Sequence, residues 1–271
     1  MCIIFINNGN VHDIKLMIAY NRDETKKRPS VAAHLWPSNS IYGGKDVVTD
    51  GTWLATSTKG RFAALLNVLH EKRGICFSKD KSTRGGLVPN FLNIDTSSDQ
   101  YIDSIRETSD KYNWFNLVMC EFKAEPKVSV FNNYQDRMCE LHSGVLCLSN
   151  LPPDFDNNRC TYGKEIFNLL LKDFSEYNFP DHKSRNKYLK EQLFGMLADK
   201  TEIPPMDGLH SSTKYIFNSE YVDHSGEGSG SVSSTVFFVD KNNHCYFAEK
   251  TNFVDGNPDG SVVEFKWDVT E

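Results

Sequence analysis

Met1-Cys2-Ile3-Ile4-Phe5-Ile6-Asn7-Asn8-Gly9-Asn10 opens the chain, and Ile14-Lys15-Leu16-Met17-Ile18-Ala19-Tyr20-Asn21-Arg22-Asp23-Glu24 follows closely. The first run is apolar from Cys2 to Ile6 and then breaks into turn-forming residues, Asn7 to Asn10. The second alternates, with Ile14, Leu16, Ile18 and Tyr20 on one parity and Lys15, Met17, Ala19 and Asn21 on the other. Together they predict a β-hairpin turning near residue 11. Antiparallel pairing about that centre sets Cys2 opposite Tyr20 or Asn21, with Arg22, Asp23 and Glu24 emerging beside it. Fold and site are read from this one ribbon.

Cys2 then carries chemistry. Cysteine is small enough for an initiator Met to be removed, which leaves an α-amine and a thiol on one residue. An α-amine titrates near pH 7.7–8.0, by about the reference value, so it can take a proton from its own side chain. That is the arrangement of N-terminal nucleophiles. A neighbouring carboxylate can hold the resulting ammonium, and an amide can face a reacting group.

Working outward, short strand-like runs recur at Thr52–Ser57, Arg61–Leu69, Phe115–Phe122, Val128–Phe131 and Val145–Asn150. They resume at Lys214–Tyr221, Thr235–Asp240, Cys245–Glu249 and Val262–Trp267, with hairpin turns expected at Thr58-Lys59-Gly60 and Lys241-Asn242-Asn243. Apolar stripes of helical period span about Ser98–Lys111, entered through Thr96 with Asp99 three residues on, and Tyr162–Phe174 and Asn186–Ala198. A weaker helix runs from Thr83-Arg84-Gly85 to Leu92, limited by Pro89. Asp223–Val232, rich in Ser and Gly, reads as a mobile loop. Strands grouped at both ends with helices between them predict an α+β protein of antiparallel sheets covered by helices, in one domain over residues 1–271.

Composition closes off several function classes. With 30 Lys and Arg against 36 Asp and Glu, the net charge of −6 offers no basic field for nucleic acid or an anionic membrane surface. No apolar run reaches the length of a membrane span, and no signal peptide is read at the start, so the expected location is the cytoplasm. Seven cysteines, several in apolar runs and none in a Cys-x-x-Cys, read as free thiols. Cys139-x-x-His142 and His244-Cys245 fall short of the four ligands of a structural zinc site, so no metal is expected. The eight histidines sit mostly in loop-like surroundings, so a haem, if held, would be held by a labile pocket contact. Trp36, Trp53 and Trp114 could line an apolar cleft, and Gly43-Gly44 and Gly85-Gly86 could let backbone approach a phosphate or acyl group.

Met1-Cys2-Ile3-Ile4-Phe5, Ala19-Tyr20-Asn21-Arg22-Asp23-Glu24 and Arg28-Pro29 resemble the family named for the Asn-Arg-Asp-Glu motif, also called the Transport and Golgi Organisation 2 family. Gly43-Gly44-Lys45-Asp46, Gly51-Thr52-Trp53-Leu54, Arg61-Phe62-Ala63-Ala64-Leu65-Leu66-Asn67, Thr83-Arg84-Gly85, Tyr112-Asn113-Trp114-Phe115-Asn116-Leu117-Val118, Leu148-Ser149-Asn150 and Ser234-Thr235-Val236 continue the match in order along the chain. That family is similar to the N-terminal nucleophile hydrolases. The resemblance therefore implies a four-layer αββα sandwich, in agreement with the grouping of strands and helices. It implies acylase-like positions on Cys2, Asp23, Asn67 and Asn150, and ligand contacts on Cys2, Asn21, Arg22, Asp23, Glu24, Trp53 and Arg84. In function it implies, first, haem trafficking and homeostasis, with haem as cargo and haem-acceptor proteins as partners. Second comes binding of acyl-CoA or a related lipid. Third comes a cysteine amidase acting on linear amides, ranked last because Tyr20 stands where the acylases carry an Arg, and Val232-Ser233-Ser234-Thr235-Val236 lacks the cation that family members often show there. Association with mitochondria or secretory-pathway membranes is also implied.

Overall fold

The computed structural model describes residues 2–37, 40–70, 74–202, 220–222 and 228–270. The opening ribbon is β1 (Ile3–Val11) and β2 (Ile14–Thr25). Its turn is His12-Asp13, not Asn7–Asn10. Both residues have positive φ, 49° and 66°, as a two-residue hairpin turn requires. Asn8 can stay in the strand because its side-chain amide donates to the carbonyls of Pro126, Leu141 and His142. The later turn slides the register: Ile3 pairs with Asn21 and Asn8 with Leu16. Continued by one step, Cys2 faces Arg22 rather than Tyr20 or Asn21.

A meander follows: β3 (Ser30–Trp36), β4 (Ile41–Asp46), β5 (Leu54–Ser57), β6 (Arg61–Asn67), then helices α1 (Leu87–Asn93) and α2 (Ser98–Arg106), then β7 (Phe115–Glu121), β8 (Lys127–Asn132) and β9 (Arg137–Leu141). These seven strands form one antiparallel sheet in chain order. β10 (Gly144–Ser149) returns to pair with β1, and helices α3 (Asn158–Glu176) and α4 (His182–Leu197) come next. The chain closes with β11 (Glu220–Val222), β12 (Gly228–Asp240), β13 (His244–Thr251), the small pair β14 (Phe253–Val254) and β15 (Asn257–Pro258), and β16 (Val262–Asp268). The second sheet runs β10-β1-β2-β12-β13-β16, with β11 on β12.

Three apolar clusters show the layering. Ile4, Ile6, Leu16, Ile18 and Tyr20 meet Phe62, Ala64, Leu66 and Val118 between the sheets. The other parity of the ribbon, with Ile3, Phe5, Met17 and Ala19, packs on Phe167, Leu171, Leu189 and Leu193 of α3 and α4. Ala63, Leu65 and Leu117 pack on Phe91, Ile102 and Ile105 of α1 and α2. The order is therefore helix, sheet, sheet, helix: the expected α+β, four-layer αββα sandwich. β2 is covered on both faces, which is why its alternation is blurred in sequence; even Lys15 is buried, its ammonium on Ala124 O at 2.8 Å and Asn243 Oδ1 at 2.7 Å.

Helix boundaries move to their caps. Ser97 and Gln100, not Thr96 and Asp99, form the capping box of α2. The helix stops at Arg106, and Ser109–Lys111 is a separate 3-10 turn. Asn157 and Asp181 start α3 and α4 four residues earlier than the apolar stripes suggest. Pro89 sits in the first turn of α1, where its missing N–H costs little. Of the loop expected at 223–232, residues 223–227 lie outside the described residues, and Gly228–Val232 are strand, paired with β2. Of the expected strand 214–221, residues 214–219 lie outside them too, and Glu220–Val222 pair with β12.

Candidate functional site

Cys2 lies just before β1, at the edge of the layer between the sheets, and is 9% exposed. Its Sγ accepts from the Asp23 amide at 3.4 Å and donates to the Asp23 carbonyl at 3.7 Å. A bulge in β12 sets Val232 between Ser231, which pairs with Asp23, and Ser233, which pairs with Arg22. The Asp23 carboxylate is fully buried, accepting from Ser231 Oγ at 2.6 Å and lying 3.4 Å from Arg159 Nη2 of α3. Arg159 is itself fully buried.

Beside this cluster stands a second charged group. The Arg22 guanidinium lies 3.8 Å over the Trp53 ring and 2.8 Å from Asp46 Oδ2, which Arg28 Nε also reaches at 3.0 Å. Burial alone would raise the Asp46 pKa. Hydrogen bonds from Arg28 and Thr49 and the charge of Arg22 outweigh it and hold the carboxyl below its ordinary value. Arg22 Nη1 and Trp53 Nε1 are buried donors without a hydrogen-bond partner among the described residues.

These residues line a cleft of about 440 Å³. Cys2, Tyr20, Arg22, Asp23 and Glu24 form one wall. Asp46, Val48, Thr52, Trp53, Leu65 and Asn67 form a second, and Phe77, Lys81, Arg84 and Asn113 a third. Phe77 and Val48 stand about 60% exposed at the mouth, 62% and 60% respectively. Arg84 donates to Trp114 O at 3.0 Å and makes no ion pair among the described residues. Burial pulls its pKa down to about 10, against the charge of Glu24. The segment carrying it is pinned to the meander by Thr52 N on Gly85 O at 3.1 Å.

Burial and the charge of Asp23 push the Cys2 thiol up, while the chain's amino terminus, Tyr20 and the Asp23 amide act the other way. At neutral pH the group is a thiol, not a thiolate. Tyr20 is raised well above its ordinary value by burial and by Cys2.

Of the residues named from sequence, Cys2, Arg22, Asp23, Glu24, Trp53, Asn67 and Arg84 share this cleft. Asn21 does not. Its amide donates to Leu197 O at 2.9 Å and accepts from Ser234 Oγ at 2.7 Å, on the face toward α4. Asn150 also lies off the cleft wall. Its side chain donates to Asn67 O, its own backbone carbonyl takes Leu69 N at 3.1 Å, and it ties the end of β6 to β10. Gly43 and Gly44 make room for protein, whereas Gly85 lines the cleft. A Cβ on Gly43 would meet Ala55 Cβ at 2.7 Å, and one on Gly44 the Trp53 ring at 2.5 Å.

Arg159, Asp46 and Ser231 were not singled out from sequence. An Arg in the first turn of a helix is opposed by the helix dipole, and that misfit at Arg159 was the available signal of a specific anionic partner. The cation absent at position 20 is thus supplied to the neighbourhood from α3. Across Trp53 lies a smaller cavity of about 110 Å³ over Glu249, which accepts from Ala33 N at 2.7 Å and Thr235 Oγ1 at 3.3 Å. Burial raises the Glu249 pKa to about 7. Among the described residues no cluster of three His, Cys, Asp or Glu could hold a metal, and no helix is long and apolar enough to cross a membrane.

With Cys2 seated on Asp23 in an αββα sandwich, comparison with known proteins becomes informative. The profile of the family described as Transport and Golgi organisation 2 matches residues 1–253. The chain belongs to that family. A Transport and Golgi organisation 2 homologue from Bos taurus is 29% identical over 266 residues, covering 93% of each chain. The Mus musculus homologue is 32% identical over 178 residues, 62% of this chain and 63% of that one. Among solved structures, the Caenorhabditis elegans orthologue of N-acylethanolamine-hydrolyzing acid amidase superposes with a TM-score of 0.50 at 14% identity, covering 98% of this chain and 100% of that one. That likeness establishes the fold, the N-terminal nucleophile hydrolase sandwich, on which this member of the Transport and Golgi organisation 2 family is built.

Proposed function

We propose that the Cys2 cleft receives an anionic amphipathic small molecule, and that haem is the cargo it takes up and hands on. One observation carries this reading: Arg84, partly buried and without an ion-pair partner among the described residues, faces the same space as Trp53, Leu65, Val48 and Phe77. A guanidinium without a carboxylate favours an incoming carboxylate, and apolar walls favour a flat hydrophobic body; haem carries both. No described histidine lines the cleft, and Cys2 is a protonated thiol, so iron would meet only weak ligands. Weak ligation suits transfer to an acceptor protein better than retention. Acyl-CoA has the same combination of anionic and apolar parts and is the alternative occupant.

The test is titration of the purified chain with haemin, read at the Soret band, followed by transfer to an apo-haemoprotein. Arg84→Ala is expected to weaken binding about tenfold, the loss of a charge-assisted contact of about 1.5 kcal/mol. Saturable acyl-CoA binding with no Soret response would replace haem by the alternative. No response to either ligand would end the proposal.

A second reading has its own observation, the contact between Cys2 Sγ and Asp23 with buried Arg159 behind it. With Met1 removed, Cys2 would attack the carbonyl carbon of a linear amide, its own amine taking the thiol proton and Asp23 holding the ammonium. Asn67, which lines the cleft, would receive the oxyanion, since the Asn150 amide is occupied by Asn67 O. The amine leaves with that proton; water then attacks the acyl carbon of the thioester and the C–S bond breaks, giving the carboxylic acid and restoring the Cys2 thiol. This reading requires an acyl adduct on Cys2 by intact mass; turnover that persists in Cys2→Ala would refute it.

A further inference from the structure

The polar end of the layer between the sheets continues past Trp53 into the cavity of about 110 Å³ over Glu249. Strand register sets its floor. Phe237, Thr235 and Ser233 share one face of β12, and pair with Phe247, Glu249 and Thr251 of β13. Phe237 and Phe247 belong to the core of that layer, so Ser233 and Glu249 are turned the same way as those rings. The roof comes from the other sheet. A Cβ on Gly44 would meet Trp53 Cζ2 and Cη2 at 2.5 Å and the Val31 carbonyl at 3.2 Å, and Val31 also lines the cavity. Nε1 is two bonds from Cζ2, on the indole edge that lies beside Val31.

Three polar groups are buried around this space. Trp53 Nε1 and Ser233 Oγ, in residues 8% and 6% exposed, have no hydrogen-bond partner among the described residues. The Glu249 carboxyl accepts from the Ala33 amide at 2.7 Å and, at a longer 3.3 Å, from Thr235 Oγ1. Burial raises its pKa to about 7, against the Ala33 amide, the charge of Arg22 and the Thr235 hydroxyl. Below that pH it is a carboxylic acid with a proton to donate. The charged groups around it are few. Arg22 pairs with Ser233 across the ladder, and Arg28 lies on the rim shared with the Cys2 cleft; both also hold Asp46. Asp255 and Asp259 stand exposed on the outer rim, and β3 and β16 bring the uncharged Ala33 and Val263.

An indole N–H can only donate, and a buried donor left unpaired is costly. The indole N–H, the serine O–H and the carboxylic O–H together call for an acceptor with several lone pairs. A cation would answer Glu249 and leave the indole N–H unmet. We infer that this cavity is a second ligand site, which takes a compact carboxylate held by Trp53 Nε1, Ser233 Oγ and the Glu249 carboxyl. An oxygen of the bound ion accepts from the Glu249 O–H, so the two carboxyl groups share one proton. Binding therefore favours protonated Glu249 and weakens as pH rises through its pKa. Arg22 and Arg28 favour the ion, while Asp255 and Asp259 oppose it across solvent that screens them.

The test follows the Trp53 indole N–H resonance of the isotope-labelled full chain, assigned by its loss in Trp53→Phe, during titration with sodium acetate at constant ionic strength. A saturable shift is expected, with affinity about tenfold tighter at pH 6 than at pH 8, a range over which acetate stays ionised. Glu249→Gln keeps a donor and should bind without that pH dependence. Ser233→Ala should bind about fivefold more weakly. Arg84→Ala, a change in the Cys2 cleft, should leave the shift as it is. No shift up to about 100 mM acetate would overturn the assignment. Methylammonium binding in its place, or acetamide binding as tightly as acetate at both pH values, would overturn it too. Loss of the shift in Arg84→Ala but not in Ser233→Ala would put the ion in the Cys2 cleft, ending this site while leaving the reading of that cleft intact.

Discussion

The layer between the two sheets has two unlike ends. At one, Phe237 stacks on Phe62 with centroids 5.6 Å apart and tilts against Phe122 at 5.5 Å, all fully buried or nearly so. At the other, the same layer holds Arg22 over Trp53, Asp46 between two guanidinium groups, and Glu249, while Asp23 meets Arg159 of α3. The aromatic end contributes stability mainly through contact, with Trp267 stacked on Phe237 at 6.0 Å and its Nε1 buried without a hydrogen-bond partner among the described residues. The polar end contains buried donors with no partner among the described residues, on Arg22 and Trp53, and a carboxyl whose pKa burial raises to about 7. Stability and receptivity are thus separated along one interface.

Substitutions should separate the two ends. Phe237→Ala is expected to cost about 3–5 kcal/mol by urea unfolding, since a large ring is removed from a closed core. A loss below about 1 kcal/mol would mean that the aromatic end is not the anchor supposed here. Asp46→Ala leaves Arg22 and Arg28 without their carboxylate and should cost about 3 kcal/mol at neutral pH. Because the Asp46 pKa is lowered in the fold, its contribution is present above its unfolded value and is lost as pH falls through the folded one. The difference between wild type and Asp46→Ala should accordingly shrink in acid.

Glu249 has the opposite sign. Its folded pKa of about 7 stands above the ordinary 4.5, so between these values the folded chain keeps a proton that the unfolded chain has lost. Stability from this group therefore falls as pH rises across that window. Glu249→Gln should gain about 2–3 kcal/mol at pH 8 and almost nothing at pH 4, measured by unfolding at both. An equal gain at both would show that the carboxyl is not the source. Arg84→Ala should change stability least, by under about 0.5 kcal/mol, because Arg84 has no carboxylate to leave behind. A large loss would make Arg84 a structural post rather than a receptive cation.

Much of this arrangement could be read before any coordinates. Period-two runs placed most strands, and the apolar stripes of α3 and α4 placed the helix layer. Besides the two-residue pair β14 and β15, three strands were missed for physical reasons. In β3 and β4, Ala32-Ala33-His34 and Gly43-Gly44 have no strand-like alternation, yet Gly44 is where the Trp53 ring lies. β9, with Arg137 and Glu140, is an edge whose side chains are largely in water. The hairpin register was misjudged because an Asn-rich stretch looks like a turn unless its amides find carbonyls elsewhere, as Asn8 does. At the site, residues close to Cys2 in sequence were legible. Arg159 and Ser231 were not: the first-turn position of Arg159 signals an anion, but nothing local says that Asp23, more than a hundred residues distant, supplies it.

Gly51 and Gly85 touch backbone to backbone, so closely that a methyl group on Gly51 would run into the Gly85 carbonyl. The cation of the third wall is therefore positioned by two residues that have no side chain. Enlarging either would swing the Thr83–Gly85 arm away from Thr52 and widen the opening, with every lining group chemically intact. The aperture of the cleft is set by absent atoms, and can be retuned without altering its charge.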